Sequence, residues 1–372
     1  MPPFLLSSLE VLVGIALLFG GGELFVQGAV TLSLIFGIPQ LVIGLTVVSL
    51  GTSAPELFVS LSSVTQGFDA LAVSNVVGSN IFNVMVVLGS SALVMPLRVE
   101  SRLVRRDVPL LIAVSAAVWG MASAGRVTWQ AGLALLLALA INSVWEIRTA
   151  REEPEGVEEA EPEVNPDQSK RGVVRAIGLL VVGIVLLGVG SRVLVHGASA
   201  AATFLGVSQA VIGLTIVSAG TSMPELITSL VAAVKGRTDL AIGNVVGSNL
   251  LNQLLVLGAS AVAAAGGAGL QVSPMLIARD LPVMVLAALA CLPIFWTRGQ
   301  ITRLEGGILV TLYVFYVVDQ VLPRTLPTWQ DEFRIVMLCL VLPAVIVLIS
   351  VQAGVYWRQL KRKQKQNNLP VR

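Results

Sequence analysis

Charge is what this 372-residue chain has least of. Only 12% of its residues are Asp, Glu, Lys or Arg, about half the share usual in soluble domains. Hydrophobic residues make up 55%, and the mean hydropathy is +0.86. This composition excludes an ordinary soluble domain, gives no reason to expect a nucleic-acid partner, and points to a chain that crosses a bilayer many times. Histidine is represented by His196 alone, and the two cysteines, Cys291 and Cys339, stand isolated in apolar segments. Neither a CxxC nor a zinc-ligand spacing is present, so the cysteines read as buried small hydrophobes. No basic residue precedes the first apolar stretch and no small-residue cleavage site follows it, which makes it a span and not a removable signal. The GGGE run at 20–23 lacks the Lys-Ser/Thr of a phosphate loop and reads as tight helix packing.

A hydrocarbon core about 30 Å thick takes about 20 helical residues per crossing. That rule predicts eleven spans, near 9–33, 40–66, 70–95, 107–124, 128–147, 173–203, 209–234, 239–265, 280–297, 304–322 and 333–356. Of the 24 Lys and Arg, 19 fall on the face that carries residues 148–171 and the C-terminus. Four (Arg126, Arg279, Arg324, Arg334) fall on the other, and Arg192 lies within a span. The positive-inside bias therefore expects a multi-pass cell-membrane protein with its N-terminus outside and its C-terminus cytoplasmic.

The chain repeats itself. GLTVVSLGTSAPEL and NVVGSNIFN in the first half return as GLTIVSAGTSMPEL and NVVGSNLLN, with Gly44 and Gly213 offset by 213 − 44 = 169. At that offset, residues 40–89 and 209–258 agree at 29 of 50 positions, the mark of a duplicated unit. Between the copies lies one hydrophilic break, 148–171, with eight acidic residues and three prolines. It reads as a solvated linker. Each half has five spans, and because five is odd the second half enters the membrane from the opposite side. The expected fold is all-α: a first five-helix repeat over 1–147, an acidic cytoplasmic linker over 148–171, and a second, inverted repeat over 172–322. An appended span with a basic tail follows over 323–372. Such inverted halves hold their substrate at the repeat interface near the bilayer midplane.

An ionisable residue inside an apolar span is costly enough to mark function, and each copy carries one beside a proline, at Pro55-Glu56 and Pro224-Glu225. Glu56 lies 11 residues before Gly67 and Glu225 lies 11 before Gly236, about 16 Å along a helix and so near mid-membrane. Proline breaks the bond to the carbonyl four residues back, which is expected to free the carbonyls of Gly51 and Gly220. The neighbours are oxygen donors: Thr52, Ser53, Thr221 and Ser222 on the kinked helices, then Ser79, Asn83, Ser248 and Asn252 on the helices that follow. Carboxylates, carbonyls and amides of this kind suit hard cations such as Ca²⁺, and two glutamates balance one divalent charge. The blander account has Pro-Glu as a kink with a satisfied acid and Gly-Ser-Asn as close helix packing. Two copies meeting across a pseudo-twofold axis weigh against it.

At these residues the sequence resembles the cation/Ca²⁺ exchanger superfamily, specifically the sodium/calcium exchangers and their prokaryotic relatives. The likeness covers residues 1–322, through GTSAPEL with GSNIFN and GTSMPEL with GSNLLN. It implies a membrane-embedded site, open alternately to either face, that exchanges Na⁺ for Ca²⁺ without a cofactor. It also implies that Glu56 and Glu225 are shared ion ligands surrounded by Thr52, Ser53, Ser79, Asn83, Thr221, Ser222, Ser248 and Asn252, with Gly51 and Gly220 at a distorted backbone. Some relatives, the potassium-dependent exchangers among them, carry aspartate where this chain has Asn252. With amides at both equivalent positions the site keeps two carboxylates, so the resemblance does not carry potassium coupling.

Three other readings compete. Exchange of Ca²⁺ for H⁺ would use the same glutamates. A passive cation channel would also use oxygen rings, but duplicated inverted halves favour alternating access. An intramembrane hydrolase would need a metal-ligand histidine or a nucleophile system that the motif lacks. Glu23 and Arg192 are equivalent positions (23 + 169 = 192), and Arg192 is expected to snorkel outward while Glu23 finds a local partner. His196 is expected to make a polar contact.

Overall fold

The computed structural model describes residues 3–152, 170–204, 218–266, 269–296, 299–325 and 329–337, with single positions at 339, 343 and 347. The bulk of the acidic linker, the start of the seventh expected span (209–217), most of the eleventh and the basic tail lie outside the described residues.

Helices dominate. The first half runs α1 (Pro3–Phe36), α2 (Gln40–Thr52), α3 (Ala54–Thr65), α4 (Asp69–Val94), β1 (Leu97–Arg98), α5 (103–122), β2 (Arg126–Val127) and α6 (Trp129–Glu152). The second runs α7 (Lys170–Phe204), α8 (Ser218–Thr221), α9 (Met223–Val234), α10 (Thr238–Ala263), β3 (Leu270–Gln271), α11 (Leu276–Trp296), β4 (Gln300–Ile301), α12 (Arg303–Thr325) and α13 (Gln330–Val336). Six of these helices are long and apolar enough to cross a membrane, and seven if the bent pair α2 and α3 counts as one span. Phe58, Leu137 and Val174 are among the large apolar side chains left exposed on the outside of the bundle, as a lipid-facing surface requires.

Two small ladders show the inversion. After α4 the chain forms β1, which pairs with β4, Leu97 opposite Ile301. After α10, the second copy of α4, the chain forms β3, which pairs with β2, Val127 opposite Leu270. β1 and β2 flank α5 at its two ends, so α4 and α10 finish at opposite ends of the molecule. The flanking bonds repeat in kind: Val99 N–H to Gly299 C=O at 2.9 Å, and Val272 N–H to Gly125 C=O at 3.0 Å.

α10 lies against α2 at backbone distance. A Cβ on Gly243 would meet the Leu41 carbonyl at 2.7 Å, and one on Gly247 the Leu45 carbonyl at 2.6 Å, so only glycine allows this approach. Around this centre the other helices form a frame, and α1 packs lengthwise and antiparallel along α7. Gly21 belongs to that seam, where a Cβ would meet the Gly183 carbonyl at 2.9 Å, so the GGGE run serves close packing as expected. Cys291 is buried as expected. Cys339 is not: its side chain is exposed.

Buried charge ties the frame together. Arg102 pairs with Glu146, and Arg106 reaches Glu146 at 2.7 Å and Asp107 at 3.6 Å. In the second half Arg279 holds Asp280 at 2.8 Å and faces Asp319 at 3.9 Å, while Arg334 of α13 grips Asp319 at 2.7 Å.

Candidate ion-binding site

Both halves carry the sequence of a capping box, Ser-x-x-Glu, at Ser53-Ala-Pro-Glu56 and Ser222-Met-Pro-Glu225. In such a box the serine and the glutamate normally cap the same helix. The backbone does break there. Ser53 (φ −81°, ψ 3°) and Ser222 (φ −91°, ψ 12°) interrupt their helices, and α2 and α3 meet at 43°. The break lies two residues before each proline, so Pro55 and Pro224 sit in the first turn of a new helix. There a missing N–H costs little, and a carboxylate in that turn faces the positive end of the helix dipole.

The serine caps are exchanged between the halves. Neither serine makes a side-chain cap bond to its own helix. Ser53 Oγ instead donates to Glu225 Oε1 at 3.2 Å, and Ser222 Oγ donates to Glu56 Oε1 at 3.0 Å. Ser79 Oγ adds a longer contact of 3.5 Å to the same Glu56 oxygen. Thr52 Oγ1 lies 3.4 Å from Ser248 Oγ. Asn83 and Asn252 sit one helical turn beyond Ser79 and Ser248, on the same faces, each at the start of a π-helical turn (Asn83–Leu88 and Asn252–Leu257). Such turns recur at functional sites. Glu56, Glu225, Thr52, Ser222, Ser248, Asn83 and Asn252 are all buried, and Glu56 and Glu225 are 0% exposed.

Several of these groups are incomplete. Glu56 Oε2, Glu225 Oε2 and both amide atoms of Asn83 and of Asn252 are buried without a hydrogen-bond partner. Orphaned buried oxygens on paired carboxylates and amides are what a hard cation needs. Among the described residues no group of three or more His, Cys, Asp or Glu forms a conventional metal centre.

The two glycines behave differently from the other expected residues. The Gly220 carbonyl, four residues before Pro224, accepts a hydrogen bond from Ser191 Oγ of α7, so one of its lone pairs is already used. Gly51 serves packing: a Cβ there would meet Ile184 of α7 and Phe25 of α1 at 2.9 Å. Thr221 reaches the network through Asn75, at 3.5 Å. Glu23 pairs with Lys235 and not with Arg192, whose side chain is exposed. His196 contacts Glu10 at 2.9 Å.

Sequence reasoning passed over Asn75, Asn244 and Ser191. The asparagines open the repeated NVVGSN in both copies, a signal that was available. Ser191 had none, since its counterpart at 191 − 169 = 22 is glycine.

A family model described as sodium/calcium exchanger protein matches residues 7–147 and 175–322. The chain belongs to the sodium/calcium exchanger family. Among its relatives, the putative antiporter CaxA of Alkalimonas amylolytica is 37% identical over 84% of this exchanger and 98% of its own length. Inner membrane protein YrbG of Escherichia coli is 33% identical over 86% and 99%. The sodium-calcium exchanger NCX_Mj, in crystals soaked with 10 mM Na⁺ and no Ca²⁺, superposes with a TM-score of 0.70 at 31% identity, over 84% of this chain and 98% of that one. The family is one of membrane exchangers, which places the present chain among multi-pass membrane proteins that move ions.

Proposed function

We propose that this exchanger is a secondary antiporter that swaps Na⁺ for Ca²⁺ by alternating access. Its site is Glu56, Glu225, Asn83, Asn252, Thr52, Ser53, Thr221, Ser222, Ser79 and Ser248, with the carbonyls of Gly51 and Gly220, near the bilayer midplane. The observation that carries this reading is the reciprocal pair Ser53 to Glu225 and Ser222 to Glu56, which leaves one unpartnered carboxylate oxygen on each glutamate. Two carboxylates balance one Ca²⁺, and Na⁺ competes for the same oxygens. Because the halves are inverted, rocking one against the other opens the same ligands to either side.

The repeats are residues 1–147 and 172–322. The acidic linker at 148–171 and the tail after the appended helix (323–372) face the cytoplasm, and the N-terminus faces out. No cofactor takes part, and the lipid bilayer is the surroundings.

The test is Ca²⁺ uptake by the purified protein in liposomes. Vesicles loaded with Na⁺ and diluted into Na⁺-free medium are expected to accumulate radiolabelled Ca²⁺, and vesicles loaded with choline are not. Uptake driven by a proton gradient in the complete absence of Na⁺ would replace this reading with H⁺/Ca²⁺ exchange.

A further inference from the structure

Behind each glutamate stands an asparagine. Asn75 on α4 and Asn244 on α10 are separated by 169 residues, the offset of the duplication. Asn244 is 0% exposed, and its Nδ2 donates to the main-chain carbonyl of Glu225 at 3.3 Å and to Ser229 Oγ at 2.9 Å. A carbonyl can only accept, so the amide nitrogen has to face it. That turns Oδ1 toward Thr52 Oγ1, 3.1 Å away. An amide oxygen carries no hydrogen, so the threonine must give its single hydroxyl proton to Asn244. The alternatives, the intrahelical Ser49 C=O and Ser248 Oγ, are both longer at 3.4 Å.

This orientation matters because a hydroxyl binds a cation through its lone pairs, with the proton turned away. The first half repeats the arrangement. Asn75 Nδ2 donates to Glu56 C=O at 3.2 Å and to Ser60 Oγ at 3.0 Å, and its Oδ1 accepts from Thr221 Oγ1 at 3.5 Å.

We infer that Asn244 and Asn75 are positioning residues of the ion site: each takes the proton of the opposite repeat's threonine so that its lone pairs face the ion, and pins the main chain of its own repeat's glutamate. The inference rests on the ion-binding role proposed above for these threonines and glutamates. Each asparagine thereby makes a ligand from one half and a ligand from the other move together.

The test is a double-mutant cycle on the full purified chain, read as equilibrium binding of radiolabelled Ca²⁺ in detergent. Asn244→Ala is expected to weaken binding about tenfold, the worth of one such hydrogen bond. In a Thr52→Val background the same change is expected to cost only about threefold, because its target hydroxyl is already gone. Asn75→Ala should act in the same direction and less, in keeping with its longer contact. If Asn244→Ala does not fold, Asn244→Ser takes its place in the cycle. An equal factor in both backgrounds, or wild-type affinity in a folded Asn244 variant, overturns the inference. Binding at equilibrium needs no Na⁺ gradient, so a failure of Na⁺ coupling would remove the exchange reading and leave this result intact. Absence of saturable Ca²⁺ binding by the wild type overturns both.

Discussion

The two repeats are alike at the paired glutamates and different one turn away from them. At the centre the copies trade like contacts: each serine donates to the other copy's glutamate and each threonine to the other copy's asparagine. One turn away the likeness ends. Ser191 holds the Gly220 carbonyl, whereas the equivalent residue behind Gly51 is Gly22, which has no hydroxyl to offer. Gln253 reaches across to Asn80 Oδ1 at 3.2 Å, where the first copy has Val84. In the charged frame, Arg102 and Arg106 of one helix both serve Glu146. The second half has Met275 in the place of Arg102, at the 173-residue offset that relates Arg106 to Arg279 and Glu146 to Asp319. Arg334, from the appended helix, takes the vacant place at Asp319. Duplicated chains stay symmetric where two copies must fit one ligand and drift where each copy meets different neighbours.

The central symmetry should be the harder to break. Glu56→Gln and Glu225→Gln are each expected to cost about 2–5 kcal/mol of ion binding, a loss of about thirtyfold or more in Ca²⁺ flux. The two losses should be of similar size. Flux into liposomes at matched protein amounts checks this, and near-normal transport by either variant would make the glutamates structural.

The charged frame should respond unequally. Arg102→Ala takes one of two cationic partners from buried Glu146 and leaves Arg106 in place, so it is expected to destabilise the protein by about 2–3 kcal/mol. Arg334 is 41% exposed at its side chain, so Arg334→Ala is expected to cost only about 1 kcal/mol. Thermal unfolding of the detergent-solubilised variants compares them, and equal shifts would mean that the appended helix is as integral as α5.

Gln253→Val, which restores the first copy's residue, should change least. It gives up two hydrogen bonds, to Asn80 Oδ1 and to the Asn249 carbonyl, but also removes the unpartnered Gln253 Oε1, so stability should fall by only about 1 kcal/mol and Ca²⁺ flux should be unaltered.

Much of this centre is legible in the sequence because both copies say the same thing. Glu56, Glu225, Asn83 and Asn252 stand out as polar residues repeated inside apolar helices, and all four are buried with unpartnered atoms. The partner of each serine is not legible. Ser-x-x-Glu reads as a local cap, and only the fold, by bringing two breaks together, sends each serine to the other glutamate. The prolines point to the right helices, and the breaks at Ser53 and Ser222 fall between each proline and the carbonyl four residues before it, with the proline itself tolerated in the first turn of the next helix. The charged frame stayed hidden for another reason. Arg102 and Arg106 count as basic residues of one face whether free or paired, and nothing local tells that Glu146, 44 residues after Arg102, neutralises them.

The exchanged serines also set a schedule for the chain as it is made. Ser222 is synthesised 166 residues after Glu56, about 8–33 s later at a ribosome's pace of roughly 5–20 residues per second. Through that interval the first half sits in the membrane with a carboxylate whose cross-repeat hydroxyl does not yet exist, and β1 waits longer still for β4. The shortest nascent chain that can give Glu56 its partner already contains the start of the second repeat's central helices, so the site comes into being only as the second half arrives.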